Sequence, residues 1–280
     1  MNSMKKILIP TDFSENAWSS LIYAVNMFRK VECTFFLLHT IIMRESSITN
    51  FSNNKLNTSK EKANNELIKL KKNAENIKLN PNHKFEIILS FYHLDDAINF
   101  TSDKHEIDFT IIGTKGANNT IESILGSNTT RVIKNIKQIP TIVVPNEYQF
   151  KGLNRIVMLS DLNHTMDDTL LVPVKKLSED NNSKLSLLHL SKTEKLTDNQ
   201  TEELKSLETI LSKYNFSFHQ ISNYTNKAQY VNEFIEEVSA NMLVLIYYRN
   251  TVLEKYFKKS LTTTMCQNLK TPMLILPNKN

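Results

Sequence analysis

A chain of 280 residues is about twice the usual domain length, so two domains of roughly 140 residues are expected. Hydrophobic residues at 40% and charged residues at 22% suit a chain that buries a core, and no apolar run approaches the ~18 residues of a membrane span. The net charge of +5 comes from lysines scattered among asparagines and glutamates, with no zinc-finger spacing or other nucleic-acid module, which excludes nucleic acid as the expected partner.

The chain opens on Lys5-Lys6-Ile7-Leu8-Ile9-Pro10, an apolar stretch too short for a secretory signal, and a cytoplasmic protein is expected. Residues 6–9 read as a strand and residues 14–30 as a helix, with Ala17, Leu21, Ala24, Val25 and Phe28 on one face. Residues 34–39 form a buried strand. Residues 60–77 are a helix with Ala63, Leu67, Leu70, Ala74 and Ile77 inward. Then come a strand at 85–91, a helix at 94–104, a strand at 109–112, a helix at 127–137 and a strand at 141–144. Strands that are nearly all apolar, alternating with helices, predict a parallel sheet covered on both faces. Cys33 and Cys266 are too few for a disulfide framework and read as buried thiols of a reduced compartment.

The second half repeats this order. Ile7-Leu8-Ile9-Pro10-Thr11-Asp12-Phe13 is echoed by Ile156-Val157-Met158-Leu159-Ser160-Asp161-Leu162, and Leu37-Leu38-His39-Thr40 by Leu187-Leu188-His189-Leu190. Ile139-Pro140-Thr141-Ile142-Val143-Val144-Pro145 is echoed by Thr271-Pro272-Met273-Leu274-Ile275-Leu276-Pro277. A repeat of this size predicts duplicated domains, at 1–148 and 153–280, joined near Lys151-Gly152. The first copy is longer between its second and third strands, where the polar segment 44–57 stands. Following a strand on the ligand side, that segment is expected to act as a lid.

Glycine usage is the most informative number. The chain has four glycines where about twenty is typical, and Gly113, Gly116 and Gly126 fall within fourteen residues. Gly113 ends the fourth strand and Gly126-Ser127 opens the helix after it. In a doubly wound sheet, ligands bind beyond the carboxyl ends of the strands where the strand order reverses, and a helix N-terminus there suits phosphate. Asp12 sits just past the first strand, at the same edge. Singly, each residue has a plainer reading: glycine is common after a strand, Ser127 can cap its helix, and Asp12 or Ser14 can cap the first. Together, in a chain so sparing of glycine, they point to a ligand.

Other chemistry is absent from the sequence. There is no phosphate loop of the G-x-x-x-x-G-K-[ST] type, no dinucleotide fingerprint, no G-x-S-x-G elbow and no H-E-x-x-H. The seven histidines do not pair at metal-ligand spacing; His39 and His189 both end the second strand of their unit and read as one shared structural position. Asp95-Asp96 and Asp167-Asp168 each open a helix, where acidic residues favour the dipole, and read as caps. With no general base placed for a water and no metal cluster, an efficient enzyme is not expected.

The pattern Gly113-x2-Gly116-x9-Gly126-Ser127 resembles the nucleotide signature of ATP-binding members of the universal stress protein family, and Pro10-Thr11-Asp12-Phe13-Ser14 and Leu37-Leu38-His39 are similar to it as well. The resemblance implies an α/β fold of two tandem doubly wound domains, each a five-stranded parallel sheet of order 3-2-1-4-5. It also implies an adenine nucleotide, ATP, one per chain in the first domain, with magnesium the accompanying expectation at its phosphates. By position, Pro10, Thr11 and Asp12 would line the nucleoside end, with Thr40 beside the adenine. Gly113 and Gly116 would border the ribose and phosphates, and Gly126, Ser127, Asn128 and Thr129 would hold the phosphates. Thr40 and Asn128 depart from the pattern, standing where relatives often carry an aliphatic residue.

The second domain departs completely. Counting back from Ser260, Ile246, Arg249 and Lys259 stand in the three glycine positions, Leu159 replaces the proline and Leu190 the threonine. Side chains there would crowd a phosphate, so this half is expected not to bind ATP in the family manner. The reading is a nucleotide-dependent regulator of the stress response whose two domains pair within the chain, with a homodimer as a further expectation. The alternative is a ligand-free interaction module with slow or no ATP hydrolysis.

Overall fold

Ile7, Leu8 and Ile9 of strand β1 (Lys5–Pro10) are fully buried, as are Phe35, Leu37 and Leu38 of β2 (Cys33–Thr40), because strands at the centre of a parallel sheet are covered on both faces. The computed structural model describes residues 4–42, 50–114, 127–135, 138–247 and 270–278. The chain divides into two units, Met1–Phe150 and Lys151–Asn280.

The first unit continues with α1 (Glu15–Met27), α2 (Asn50–Glu75), β3 (Lys84–Ser90), α3 (Leu94–His105), β4 (Phe109–Gly113), α4 (Ser127–Asn135) and β5 (Thr141–Val144). Every pairing is parallel, and the strand order is 3-2-1-4-5. The connections from β1 to β2 and from β2 to β3 step one way along the sheet, and those from β3 to β4 and from β4 to β5 step the other. Right-handed crossovers therefore put α1 and α2 on one face and α3 and α4 on the opposite face. The direction changes between β1 and β4, and this opens a crevice at their carboxyl ends. The apolar face of α1 is buried as its spacing predicts, and Ser14 caps the helix by accepting from the Ala17 N–H at 3.2 Å.

The second unit carries β6 (Arg155–Ser160), α5 (Asp168–Asn181), β7 (Lys184–Ser191), α6 (Asp198–Ile210), β8 (Phe216–Ser222), α7 (Lys227–Glu237), β9 (Met242–Tyr247) and β10 (Met273–Pro277). Its order, 8-7-6-9-10, is the first unit's order again, and all its pairings are parallel. The register makes the repeat hold at the level of single residues. Ile7 pairs with Phe109 as Ile156 pairs with Met242, and Gly113 pairs with Val144 as Ile246 pairs with Leu276. Ile246 therefore occupies the strand position of Gly113.

The helix expected over 60–77 begins earlier, at Asn50, and runs 26 residues against 13 in α6. Much of the first unit's extra length is thus helix. The stretch Asn50-Phe51-Ser52-Asn53-Asn54 reads as loop because asparagine and serine compete with the helical backbone, yet no proline or glycine interrupts it. Of the segment 44–57 expected as a lid, residues 44–49 lie outside the described residues. Cys33 is buried and Cys266 lies outside the described residues. Among the described residues, no helix is long and apolar enough to cross a membrane.

Candidate functional site

One wall of the crevice is the turn that leaves β1. The Thr11 N–H donates to the Leu38 carbonyl at 2.8 Å, extending the β1–β2 pairing by one bond. The Thr11 hydroxyl then accepts from the Phe13 N–H at 3.0 Å, and the Asp12 carboxylate accepts from the Ser14 N–H at 3.1 Å. These two side chains fold the backbone into a tight turn in which Phe13 takes φ +64°, a left-handed conformation that bulky residues seldom adopt. His39, at the end of β2, holds the turn from below. Its Nδ1–H donates to the Thr11 carbonyl at 2.8 Å, and its ring lies 4.5 Å from that of Phe13. Since Ser14 is the cap of α1, Asp12 is left to the turn, half-buried at the cavity edge.

The opposite wall is the end of β4 and the start of α4. The buried Thr129 hydroxyl donates to the Gly113 carbonyl at 2.8 Å, which fastens the first turn of α4 to the strand. Gly113 is required by packing as well as by any ligand: a Cβ there would lie 2.5 Å from Asn16 Nδ2 and 2.8 Å from Ser20 Oγ, both on α1. Asp95 ties α3 to α4. Its carboxylate accepts from Asn135 Nδ2 at 2.6 Å and pairs with Arg131 Nε at 2.9 Å, and Arg131 Nη1 donates to His93 Nδ1 at 3.3 Å. Burial pushes the Asp95 carboxyl up, but the Asn135 amide, its own backbone N–H and the Arg131 guanidinium together outweigh that and hold it below the ordinary carboxylate range. Asp95 is therefore a clamp between helices; the expected reading of it as a cap is corrected, since α3 is preceded by His93 with no side-chain cap bond.

Between the walls lies an open cavity of about 200 Å³. Seven of the residues singled out in the sequence line it: Pro10, Thr11, Asp12, Thr40, Gly113, Asn128 and Thr129. Ser127 opens α4, and its side chain lies outside the described residues, as do Gly116 and Gly126 altogether. The cavity also recruits Ala17, His39, Ile42, His93, Leu94, Ile112 and Arg131. His93 and Leu94 follow β3, an edge strand two places from β1 in the sheet. They reach the site because α3 crosses back to pack on β1 and α4, which spacing along the chain does not reveal. Arg131 lies one turn beyond Ser127 on the same helix, so continuing the motif by one turn would have found it. Among the described residues, no group of three or more acidic, histidine or cysteine side chains could hold a metal ion.

In the second unit the turn after the first strand is longer and is held differently. Five residues, Leu162 to Met166, separate Asp161 from the helix cap Asp167, where the first unit has Phe13 alone between Asp12 and Ser14. This longer turn is lashed to α6: Gln200 Nε2 donates to the Asp161 carbonyl at 2.9 Å, and the buried Glu203 carboxylate accepts from the Met166 N–H at 2.8 Å. Ile246 is buried in the place of Gly113. Arg249, Lys259 and Ser260 lie outside the described residues. The histidine buckle is shared, as His189 Nδ1–H donates to the Ser160 carbonyl at 3.0 Å.

Burial pushes the His189 imidazole below its ordinary 6.5. The Ser160 bond and the charge of Asp161 pull it up, and Lys227 pushes it down again. A histidine kept neutral in the fold gives stability that is full above 6.5 and declines as pH falls below it, because the unfolded chain takes up the proton first. Urea unfolding of the second unit at about pH 7.5 and about pH 5.5 is therefore expected to show lower stability in acid, with a smaller difference in His189→Gln. Equal pH dependence in the two proteins would contradict this.

Comparison with known proteins gives one consistent answer. The model of the universal stress protein family matches residues 4–145. A universal stress protein of Methanocaldococcus jannaschii is 32% identical over 158 residues, which span 50% of this chain and 94% of that protein. The crystal structure of a universal stress protein from Archaeoglobus fulgidus superposes with a TM-score of 0.71 at 17% identity, covering 98% of this chain and 96% of its own. A Pseudomonas aeruginosa structure described as a putative universal stress protein gives 0.60 at 11% identity, over 99% and 94%. At those identities the two structures speak for the fold alone.

Proposed function

The chain belongs to the universal stress protein family, and on that premise we propose that its first unit binds one adenine nucleotide, foremost ATP, as the signal of a cytoplasmic stress-response regulator. The observation that carries this reading is the convergence of seven residues, chosen from the sequence motif, on one cavity at the point where the strand order reverses. The chemistry fits an adenine nucleotide. Asp12 places a carboxylate acceptor at the end where ribose hydroxyls or an exocyclic amine would sit, and Pro10, Ala17 and Ile42 give apolar surface for a base. The N-terminus of α4 supplies backbone N–H groups and a positive dipole end for phosphates. Magnesium would arrive with the nucleotide, held by its phosphate oxygens. The second unit, with its turn lashed to α6 and Ile246 at the glycine position, is a non-binding companion.

Chemical denaturation with and without ATP tests the reading. A ligand at 100 times its Kd adds about 2.7 kcal/mol to the unit that binds it. A rise of this size in the first unit's unfolding free energy with millimolar ATP is the expected result. One observation favours the second reading, a ligand-free interaction module: the contacts of α1 account for Gly113 with no ligand at all. An unchanged unfolding curve at millimolar ATP would decide for that reading.

A further inference from the structure

Among the described residues that line the cavity, Arg131 is the single lysine or arginine, and it does not hang free. Its Nε lies 2.9 Å from Asp95 Oδ1, and its Nη1 donates to His93 Nδ1 at 3.3 Å. Asp95 is itself fixed, since its carboxylate is buried and accepts from Asn135 Nδ2 at 2.6 Å. Two groups at the start of α3 thus hold the guanidinium, while its side chain stays 44% exposed. Of its five N–H donors, one at Nη1 goes to His93 just before α3, and Nε faces Asp95 as an ion pair. Among the described residues Nη2 has no protein acceptor.

We propose that Arg131 reads the phosphate charge of the ligand, so that the site prefers nucleoside di- and triphosphates over the monophosphate or the bare nucleoside; this rests on the adenine-nucleotide reading above. A helix N-terminus offers about half a unit of positive charge, which is little against a triphosphate tail. An arginine one turn inside that helix adds a full charge and a planar fork suited to paired phosphate oxygens. Because Asp95 and His93 set the fork before binding, less side-chain freedom is lost when phosphate arrives. The Asp95 charge is shared, since its other oxygen accepts from the Asn135 amide at 2.6 Å.

Isothermal titration of the full chain with ATP, ADP, AMP and adenosine, repeated with Arg131→Gln and Arg131→Lys, tests the proposal. The expected result is a loss of roughly ten- to a hundredfold in ATP affinity in Arg131→Gln, the scale of hydrogen bonds to charged groups. ADP should lose less and adenosine should be unaffected, and Arg131→Lys, which keeps the charge without the fork, should recover part of the loss. Equal weakening of ATP and adenosine would make Arg131 a prop of α4 and overturn the proposal. So would an unchanged ATP affinity, or a parent protein that holds adenosine as tightly as ATP. A parent protein that binds none of the four fails earlier, at the adenine-nucleotide reading itself. Should Arg131→Gln fold poorly, the comparison of ATP with adenosine in Arg131→Lys separates the same outcomes.

Discussion

Gly113→Val is expected to lower the stability of the first unit by about 1–3 kcal/mol, toward the upper end of that range, and to weaken nucleotide binding with it. A Cβ at this position comes within 2.5 Å of Asn16 Nδ2 and 2.8 Å of Ser20 Oγ, and valine adds two methyl groups beyond it. Neither neighbour can easily retreat. Ser20 is fully buried and its hydroxyl donates to the Asn16 carbonyl at 2.9 Å, while Asn16 is only 7% exposed. The strand end would have to move instead, and Thr129 is tied to its carbonyl, so α4 would move with it. Urea unfolding measures the loss. Gly113→Ala should cost less than the valine, and Asn16→Ala should recover part of the alanine's cost when the two are combined, since contacting residues are coupled. Independent, additive effects would show that the strand end yields elsewhere. The second unit shows that the fold as such tolerates a large side chain here, because Ile246 is buried at the same register position.

Asp95→Ala is the second large effect, at about 1.5–3 kcal/mol at neutral pH, the range for hydrogen bonds to a charged group. It removes the acceptor of Asn135 and the partner of Arg131 together, releasing α4 from α3. The pH dependence follows from the lowered carboxyl. In the folded chain Asp95 holds its proton less tightly than in the unfolded one, so its contribution is complete above the ordinary 3.8. It is lost as pH falls through the lower folded value. Denaturant midpoints measured from about pH 7 down to about pH 2.5 should therefore converge for the parent protein and the variant at the acid end. Parallel curves would mean that Asp95 acts by its volume and not by its charge.

The parallel sheets and their duplication were legible in the continuous apolar strands and the repeat, and the strand order in the family resemblance alone. The position of Ile246 opposite Gly113 was legible by counting alone, and the strand register agrees with the count. What escaped was geometry across elements. His93 reaches the crevice through the crossing of α3, and Asp95 looks like a helix-opening acid until Asn135 and Arg131 are seen against it, 40 and 36 residues on. The long α2 escaped for a different reason, as its first turns are rich in residues of poor helix propensity and contain no breaker. Even Gly113, singled out as room for a ligand, has its empty side turned to α1 as well.

The turn after β6 is tied to α6 through Gln200 and Glu203, whereas the turn after β1 borders the cavity with Thr11 and Asp12. One chain therefore holds the same scaffold twice with two different turns, and on the proposed reading the second copy serves as a blank for the first. A solute that merely favours folded protein steadies both copies, whereas a true occupant leaves its mark on one.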